Sequence, residues 1–419
     1  MKLFFFMLSV LLFLSCNTQK PDSDFYMPAE FHPQDAVYAG WFDNPKKDSV
    51  IAQIVSALQK SVNIKMIYDD VSIRINANKF LFGFNIDTNK IFWTQDSLRY
   101  DWIRDPGPLF LINDDGEMKI ADFNWNAYGY EYVYKDFRLE RTDSLYGKIE
   151  KREAERLNLG VISSEIVNEG GALEVNGNGV MMAIKETALQ RNPGKSIDEI
   201  EKEYLRLTGS KKIIWLNRSP VNERVFDGPT VDNWFTGGAN GHIDEVARFV
   251  APNTILLTKI DDEERLQNPI SKIDYDILEE NYQILKQASD LDGKPFEIIR
   301  VPSPNLNVPE FYTELVVDDE WRRGSGLNLN SFNNGDTVRI TKAVNYLNFF
   351  ISNEVVLIPK YLKVGMPESE KQKDEEVKNL FEKLFPDKEI IQINPIAINR
   401  GGGGIHCVTQ QQPKRKKES

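Results

Sequence analysis

The sequence predicts an α/β fold. Short apolar runs of strand length alternate with stretches of helical periodicity, and some of the strand runs come in pairs joined by tight turns. After Asp48-Ser49, a plausible cap, Val50, Ile51, Ile54, Val55 and Leu58 recur at helical spacing, and Val62 to Tyr68 follows as a strand. Ser196 and Glu199 have the spacing of a capping box, so Ser196 to Leu207 reads as a helix ending at Gly209, with the strand Lys212 to Leu216 after it. Val246 to Val250 and Thr254 to Thr258 flank Ala251-Pro252-Asn253 and read as a hairpin. Tyr275 to Ala288 is a helix and Glu297 to Val301 a strand; Tyr346 to Phe350 and Val355 to Ile358 flank a turn at Ser352-Asn353. Lys371 to Leu384 is an amphipathic helix with a charged outer face, and Glu389 to Ile393 a strand. The order is hairpins interleaved with single helices rather than strict β-α-β alternation, and residues 25–413 hold neither a fixed-period repeat nor a long linker.

Composition narrows the functional classes. The 419 residues are 41% hydrophobic and 27% charged, which sets aside collagen-like, coiled-coil and wholly disordered chains. With 51 Lys and Arg against 63 Asp and Glu, the net charge is −12. Such a chain is a poor sequence-independent nucleic-acid binder, because phosphate contacts come mainly from Lys and Arg, whereas cationic substrates stay in play. Cys16 and Cys407 are the two cysteines and His32, His242 and His406 the three histidines. These counts offer no disulfide framework and no four-cysteine zinc site, and a mixed site lacks the usual close spacing.

The first residues read as an export signal. Met1-Lys2 is a basic start, and Leu3 to Leu14 is apolar apart from Ser9. That run is too short to span a bilayer as a helix but fits a signal-peptide core. It ends in Phe13-Leu14-Ser15-Cys16, which resembles a bacterial lipobox: residues 1–15 are then a lipoprotein signal peptide and Cys16 the lipidated residue. The alternative is ordinary cleavage near Ser15. Residues 16–24 read as a polar tether and residues 414–419 as a frayed basic tail. With Cys16 lipidated, Cys407 is the one free thiol of an exported, envelope-anchored protein.

Four segments carry chemistry-grade residues. In Trp102-Ile103-Arg104-Asp105-Pro106-Gly107-Pro108, prolines fix the backbone around a charged pair, and Asp105 held this way can orient a cation. On local pattern the segment is better read as a surface turn. Asn168-Glu169-Gly170-Gly171 offers a carboxylate beside two glycines that admit a close neighbour, or else a simple glycine turn. Thr236 to Gly241 is glycine-rich and leads into His242-Ile243-Asp244, which places an imidazole and a carboxylate on one face if the backbone is extended. Arg400 is followed by four glycines and then Ile405-His406-Cys407, with no Lys-Ser/Thr to make a P-loop. In an extended run His406 and Cys407 point to opposite faces, so His242 is the better base for a Cys407 nucleophile and His406 is a packed or surface histidine. A lone cysteine is also commonly a buried inert thiol.

Taken together these segments resemble the agmatine deiminase family of the guanidine-modifying (pentein) superfamily, to which bacterial-type peptidylarginine deiminases are related. The resemblance runs from Met27–Phe31 to Gln410–Pro413, and the matching stretches, in order, are Trp102 to Pro108, Asp122 to Gly129, Glu169 to Gly171, Gly241 to Phe249, Tyr346 to Phe349 and Gly402 to Gln411. The resemblance implies a five-bladed α/β propeller with fivefold pseudosymmetry, formed by residues 25–413 as a single catalytic domain with the site in its central channel. It implies that Cys407 attacks a guanidinium carbon to give a thiouronium intermediate, and that His242 protonates the departing ammonia and then deprotonates water. Asp105 and Asp244 bind guanidinium nitrogens, Trp102 is a further substrate-binding side chain, and Glu169 supports His242. No metal or organic cofactor is needed, and a homodimer is expected.

The substrate divides the relatives. Asn126-Ala127-Tyr128-Gly129 resembles the agmatine type and offers no arginine for a substrate carboxylate, which favours agmatine and hence putrescine formation. Export weighs toward peptides with arginine residues, for which Arg322 and Arg323 in the polar segment Pro302 to Thr337 could line an entrance, although a solvated loop is the better reading. A guanidinium-binding protein without turnover has no need of a thiol; an amidinotransferase would use similar residues with an amine in place of water.

Overall fold

The structure is a computed structural model and describes residues 24–134, 138, 140–324 and 326–415. The signal segment, Cys16 and the tether up to residue 23 therefore lie outside the described residues, as do residues 416–419 of the basic tail.

Five sheets are built on one plan, an antiparallel pair followed by a helical crossover to a parallel strand. β1 (Gln34–Ala39), α1 (Pro45–Leu58), β2 (Asn63–Tyr68), α2 (Val71–Phe82) and β3 (Ile91–Gln95) open the chain. The second unit is β4 (Leu109–Ile112), β5 (Met118–Asn124), α3 (Arg141–Tyr146), α4 (Ile149–Leu157) and β6 (Gly160–Val167). The third is β7 (Glu174–Val175), β8 (Val180–Ile184), α5 (Lys185–Arg191), α6 (Ile197–Thr208) and β9 (Lys212–Leu216). After β10 (Trp234–Phe235) the fourth unit is β11 (Ala247–Ala251), β12 (Thr254–Lys259), α7 (Pro269–Gln287) and β13 (Glu297–Pro302). β14 (Tyr312–Val316), α8 (Asp319–Gly324) and β15 (Thr337–Thr341) precede the fifth, β16 (Phe350–Ile351), β17 (Val355–Pro359), α9 (Glu368–Leu384) and β18 (Glu389–Ile393). α10 (Ile396–Asn399) and β19 (Thr409–Pro413) end the chain.

β4–β5, β7–β8, β11–β12 and β16–β17 pair antiparallel, while β5–β6, β8–β9, β12–β13 and β17–β18 pair parallel. The first sheet repeats the plan only because β19 returns to lie antiparallel on β1, which itself pairs parallel with β2. Each parallel step needs a crossover, and the helices supply it. Ile51, Ile54, Val55 and Leu58 of α1 bury against Ile64 and Met66 of β2, which is the packing the helical spacing predicts.

Element edges moved where local chemistry was hidden. α1 starts at Asn44, not Asp48: the Asn44 side chain accepts from Lys46 N and Lys47 N, Pro45 takes the first turn, and Asp48 reaches back to accept from Phe42 N at 3.0 Å and Asn44 N at 2.6 Å. α7 likewise begins six residues before Tyr275, capped by Asn268 ahead of Pro269. The Ser196 capping box forms as expected, and Gly209 closes α6 in the left-handed conformation. Residues 346–349 are buried but not in a strand, because Arg248 Nη1 takes the carbonyls of Leu347 and Phe349 in place of a ladder partner. The polar segment 302–337 is not a plain loop: β14 and β15 form an extra sheet with β10.

Candidate active site

Each of the five sheets sends one side chain to the same place, from the loop just before the edge strand of its antiparallel pair. Asp105 precedes β4, Glu169 precedes β7, Asp244 precedes β11, Asn348 precedes β16 and Cys407 precedes β19, each within five residues of the strand. All five are buried. The front of the site is a cavity of about 80 Å³ lined by Trp102, Asp105, Tyr128, Tyr130, the Gly238 and Gly401–Gly403 backbones and Cys407.

The thiol is held from several sides. Asn348 Nδ2 donates to Cys407 Sγ at 3.1 Å and to Glu245 Oε1 at 2.6 Å, while Asn348 Oδ1 accepts from His406 N at 2.8 Å. Asp244 Oδ2 and Glu245 Oε1 each lie 3.9 Å from the sulfur. Burial, and then the carboxylates of Asp244, Glu245 and Asp105, push the Cys407 thiol well above its ordinary range, so the neutral thiol is the resting form. A positive charge in the cavity would reverse that balance.

His242 sits between two carboxylates, with Nδ1 3.5 Å from Asp105 and Nε2 3.5 Å from Glu169. Burial alone would lower its pKa, but Asp105 and Glu169 outweigh burial and raise it to about 9. Glu169 is itself buried, yet Arg191 Nε donates to it at 2.7 Å, and Arg191 with His242 brings its pKa down to about 2. Asp105 is pushed up by burial against the pull of His242; it accepts from Tyr128 Oη at 3.0 Å and from Gly171 N at 3.1 Å. Gly171 explains the glycine pair: a Cβ there would stand 2.6 Å from His242 Nδ1, 2.9 Å from Asp105 Oδ1 and 3.1 Å from Asp244 Oδ2.

Two readings made from strand alternation are corrected. Ile243–Glu245 is a single 3-10 turn with His242 at its N-cap, so His242 and Asp244 do not share a strand face. They still converge, because the turn faces Gly171. His406 also lies before β19 rather than in it, and it is neither exposed nor packed in an apolar core. Its Nδ1 meets Asp244 Oδ2 at 2.6 Å and its Nε2 meets Glu30 Oε2 at 2.7 Å.

Several residues of the site carried no role in the sequence reading. Glu30 accepts from Ile351 N and is paired with Arg248 at 3.1 Å and Arg104 at 3.4 Å; burial would raise its pKa, but Arg248, His406 and Arg104 hold it at about 2. Arg104, read as half of a surface pair with Asp105, is instead buried in this network and donates to His406 O and Gln411 Oε1. Arg191, Tyr128, Glu245 and Asn348 were equally missed. Except for Arg191, all lie in the stretches that matched the family, so the signal available was a polar residue inside a matched stretch rather than any local spacing. Asp244, Glu245 and Cys407 are the donors among the described residues that lie within 4.8 Å of one another, the group that could hold a metal ion.

The comparisons fit this architecture. The pattern of the Porphyromonas-type peptidyl-arginine deiminase family matches residues 26–413, and the chain belongs to that family. Relatives carrying an agmatine deiminase name include one from Legionella pneumophila, 29% identical over 96% of this chain and 99% of the relative, and one from Lactococcus lactis, 28% identical over 96% and 98%. The fold superposes on the agmatine deiminase of Enterococcus faecalis with a TM-score of 0.72, covering 94% of this chain and 97% of that one at 24% identity.

Proposed function

We propose that the protein is a hydrolytic deiminase that converts agmatine to N-carbamoylputrescine and ammonia. The observation that carries this reading is a thiol and a carboxylate, Cys407 and Asp105, lining one cavity, with the His242 imidazole beside Asp105 and Glu169 and the Asp244 carboxylate beside the thiol. A guanidinium carbon is a poor electrophile until its charge is held and oriented, and on this reading Asp105 and Asp244 do that. Cys407 Sγ forms a bond to the central carbon and one C–N bond breaks; the proton lost by the thiol is balanced by the one gained by the leaving nitrogen, which departs as ammonia with His242 as the acid. Water then adds to the thiouronium carbon, His242 accepts a proton from it, and the C–S bond breaks to return the thiol and the ureido product. Glu169, anchored by Arg191, keeps His242 protonated between turnovers, and Trp102 walls the cavity. We further read the five like sheets as the blades of a pentein propeller, and Cys16 as a lipid anchor that places the enzyme at a bacterial cell envelope.

The cavity lining favours an amine-tailed substrate over a peptide ending in arginine. No arginine lines the front cavity among the described residues, and Arg322 is committed to Leu329 O, Phe332 O and Asn334 Oδ1 within its own sheet extension. A panel of agmatine, free arginine and arginine-containing peptides, scored for ureido product and ammonia, tests the reading. Turnover of agmatine with little on peptides is expected. Citrulline formation in peptides alone would make the protein a peptidylarginine deiminase, binding without ammonia a guanidinium-binding protein, and transfer to an added amine an amidinotransferase.

A further inference from the structure

Behind the thiol lies a second, small cavity, of about 30 Å³, between the Pro220–Glu223 turn, β12 and the first turns of α7. Glu223, Glu245 and Asp274 line it, each no more than 3% exposed, and no lysine, arginine or histidine does so among the described residues. Both Asp274 oxygens are used, accepting from Val221 N at 2.5 Å and Asn222 N at 3.2 Å. Glu223 Oε2 and Glu245 Oε2 have no partner. A neutral side chain repeats the pattern: Asn222 Oδ1 also lacks a donor, although Asn222 is only 7% exposed.

Each buried acceptor left without a donor costs about 1–3 kcal/mol, and a buried carboxyl group far from any cation is expensive in its charged form. Three such oxygens belong to residues lining one cavity, and the cations that act on them, His242 on Glu223 and Arg248 on Glu245, stand outside that lining, so the cavity itself offers no counterpart. We propose that this cavity binds one small monovalent cation, ammonium or potassium, through Glu223 Oε2, Glu245 Oε2 and Asn222 Oδ1. Calcium takes six to eight oxygens and magnesium a near-ideal octahedron, which three free oxygens match poorly. The tetrahedral N–H donors of ammonium match three acceptors better; potassium has the same charge and a similar radius, and like calcium needs further oxygens to complete its shell.

The site would act on the chemistry through one side chain. Glu245 lines the rear cavity with one oxygen free, while its other oxygen accepts from Asn348 and lies 3.9 Å from Cys407 Sγ. A cation there offsets part of the negative field that keeps the thiol protonated. Ammonium has a special place among the candidates only on the deiminase reading, as the product of that reaction.

The test compares the protein in potassium, ammonium and tetramethylammonium chloride at equal ionic strength, reading thermal unfolding and the rate of Cys407 alkylation by iodoacetamide. The expected result is a melting temperature about 3 °C higher, and alkylation severalfold faster, in potassium or ammonium than in the bulky control, with both differences lost in Glu223→Gln. An effect of ammonium alone marks a product site, and of potassium alone a resident ion; both support the proposal. Identical behaviour in all three salts, or an effect that persists in Glu223→Gln, overturns it. Should that variant not fold, wild-type crystals soaked in a thallium(I) salt decide: an anomalous peak between Glu223, Glu245 and Asn222 supports the site, and none overturns it. None of these readouts uses turnover, so a chain that binds the ion but releases no ammonia from agmatine leaves the site standing and removes the deiminase reading.

Discussion

His406 Nδ1 lies 2.6 Å from Asp244 Oδ2, and this contact joins the residue beside the thiol to the carboxylate facing it. The other ring nitrogen continues to Glu30, and Glu30 to Arg248 and Arg104. Asp244 is thereby fixed by a chain of buried charges with only Oδ1 left unpartnered.

Glu30→Ala leaves Arg248, Arg104 and His406 facing one another without their shared anion. Removing one partner from a buried charge network costs about 3–5 kcal/mol. Chemical denaturation should register a loss of that size, and a loss below about 1 kcal/mol would contradict the network.

Cys407→Ala should abolish ammonia release from agmatine while the melting temperature stays within a few degrees of wild type, since only one sulfur is removed. Full turnover by the variant ends the thiol's role.

Gly403→Ala places a Cβ 2.8 Å from Cys407 Sγ and 2.8 Å from the Trp102 ring. The added methyl must displace one or both. Turnover at least a hundredfold lower is expected with the fold retained by circular dichroism; near-normal turnover would show that the loop relaxes freely.

Stability should fall on the alkaline side. The folded pKa of His242 is raised to about 9 from 6.5, so its contribution is complete below 6.5 and is lost as pH rises through 9. Glu223, raised from 4.5 to about 8 by burial and the charges of Asp244 and Asp274, contributes fully below 4.5 and loses that as pH rises through 8, so the decline begins before His242 titrates. On the acid side Glu30 and Glu169, held at about 2, contribute above 4.5 and lose that contribution as pH falls toward 2. Urea midpoints across pH should show both limbs, and His242→Gln should flatten the alkaline one.

Cys16→Ser should move the protein from the membrane fraction to the supernatant of fractionated cells. Unchanged membrane retention would count against lipidation.

The order of elements was legible because it is local: Ser196, Glu199 and Gly209 are within reach of the backbone groups they cap. Asp105, Glu169, His242, Asp244 and Cys407 stood out as unusual residue types in glycine- and proline-rich settings, but locally Asp105 and Glu169 read better as turns and Cys407 as an inert thiol, and only the family resemblance gave them roles. What failed was inference by strand alternation at residues 242–244 and 405–407, where the backbone turns instead of extending. What was invisible was partnership at long range. Glu30 reaches His406 across 376 positions and Asn348 reaches Cys407 across 59, and no spacing rule spans such gaps.

β19 pairs with β1 along Gln34 to Ala39, so the sheet that begins the chain is completed by its last strand, two residues beyond the thiol. During synthesis the first 400 residues can therefore lay down most of the scaffold while the sulfur is still missing from it. Reactivity appears only at the final stitch, when the C-terminal strand docks and brings Cys407 under the side chain of Asn348.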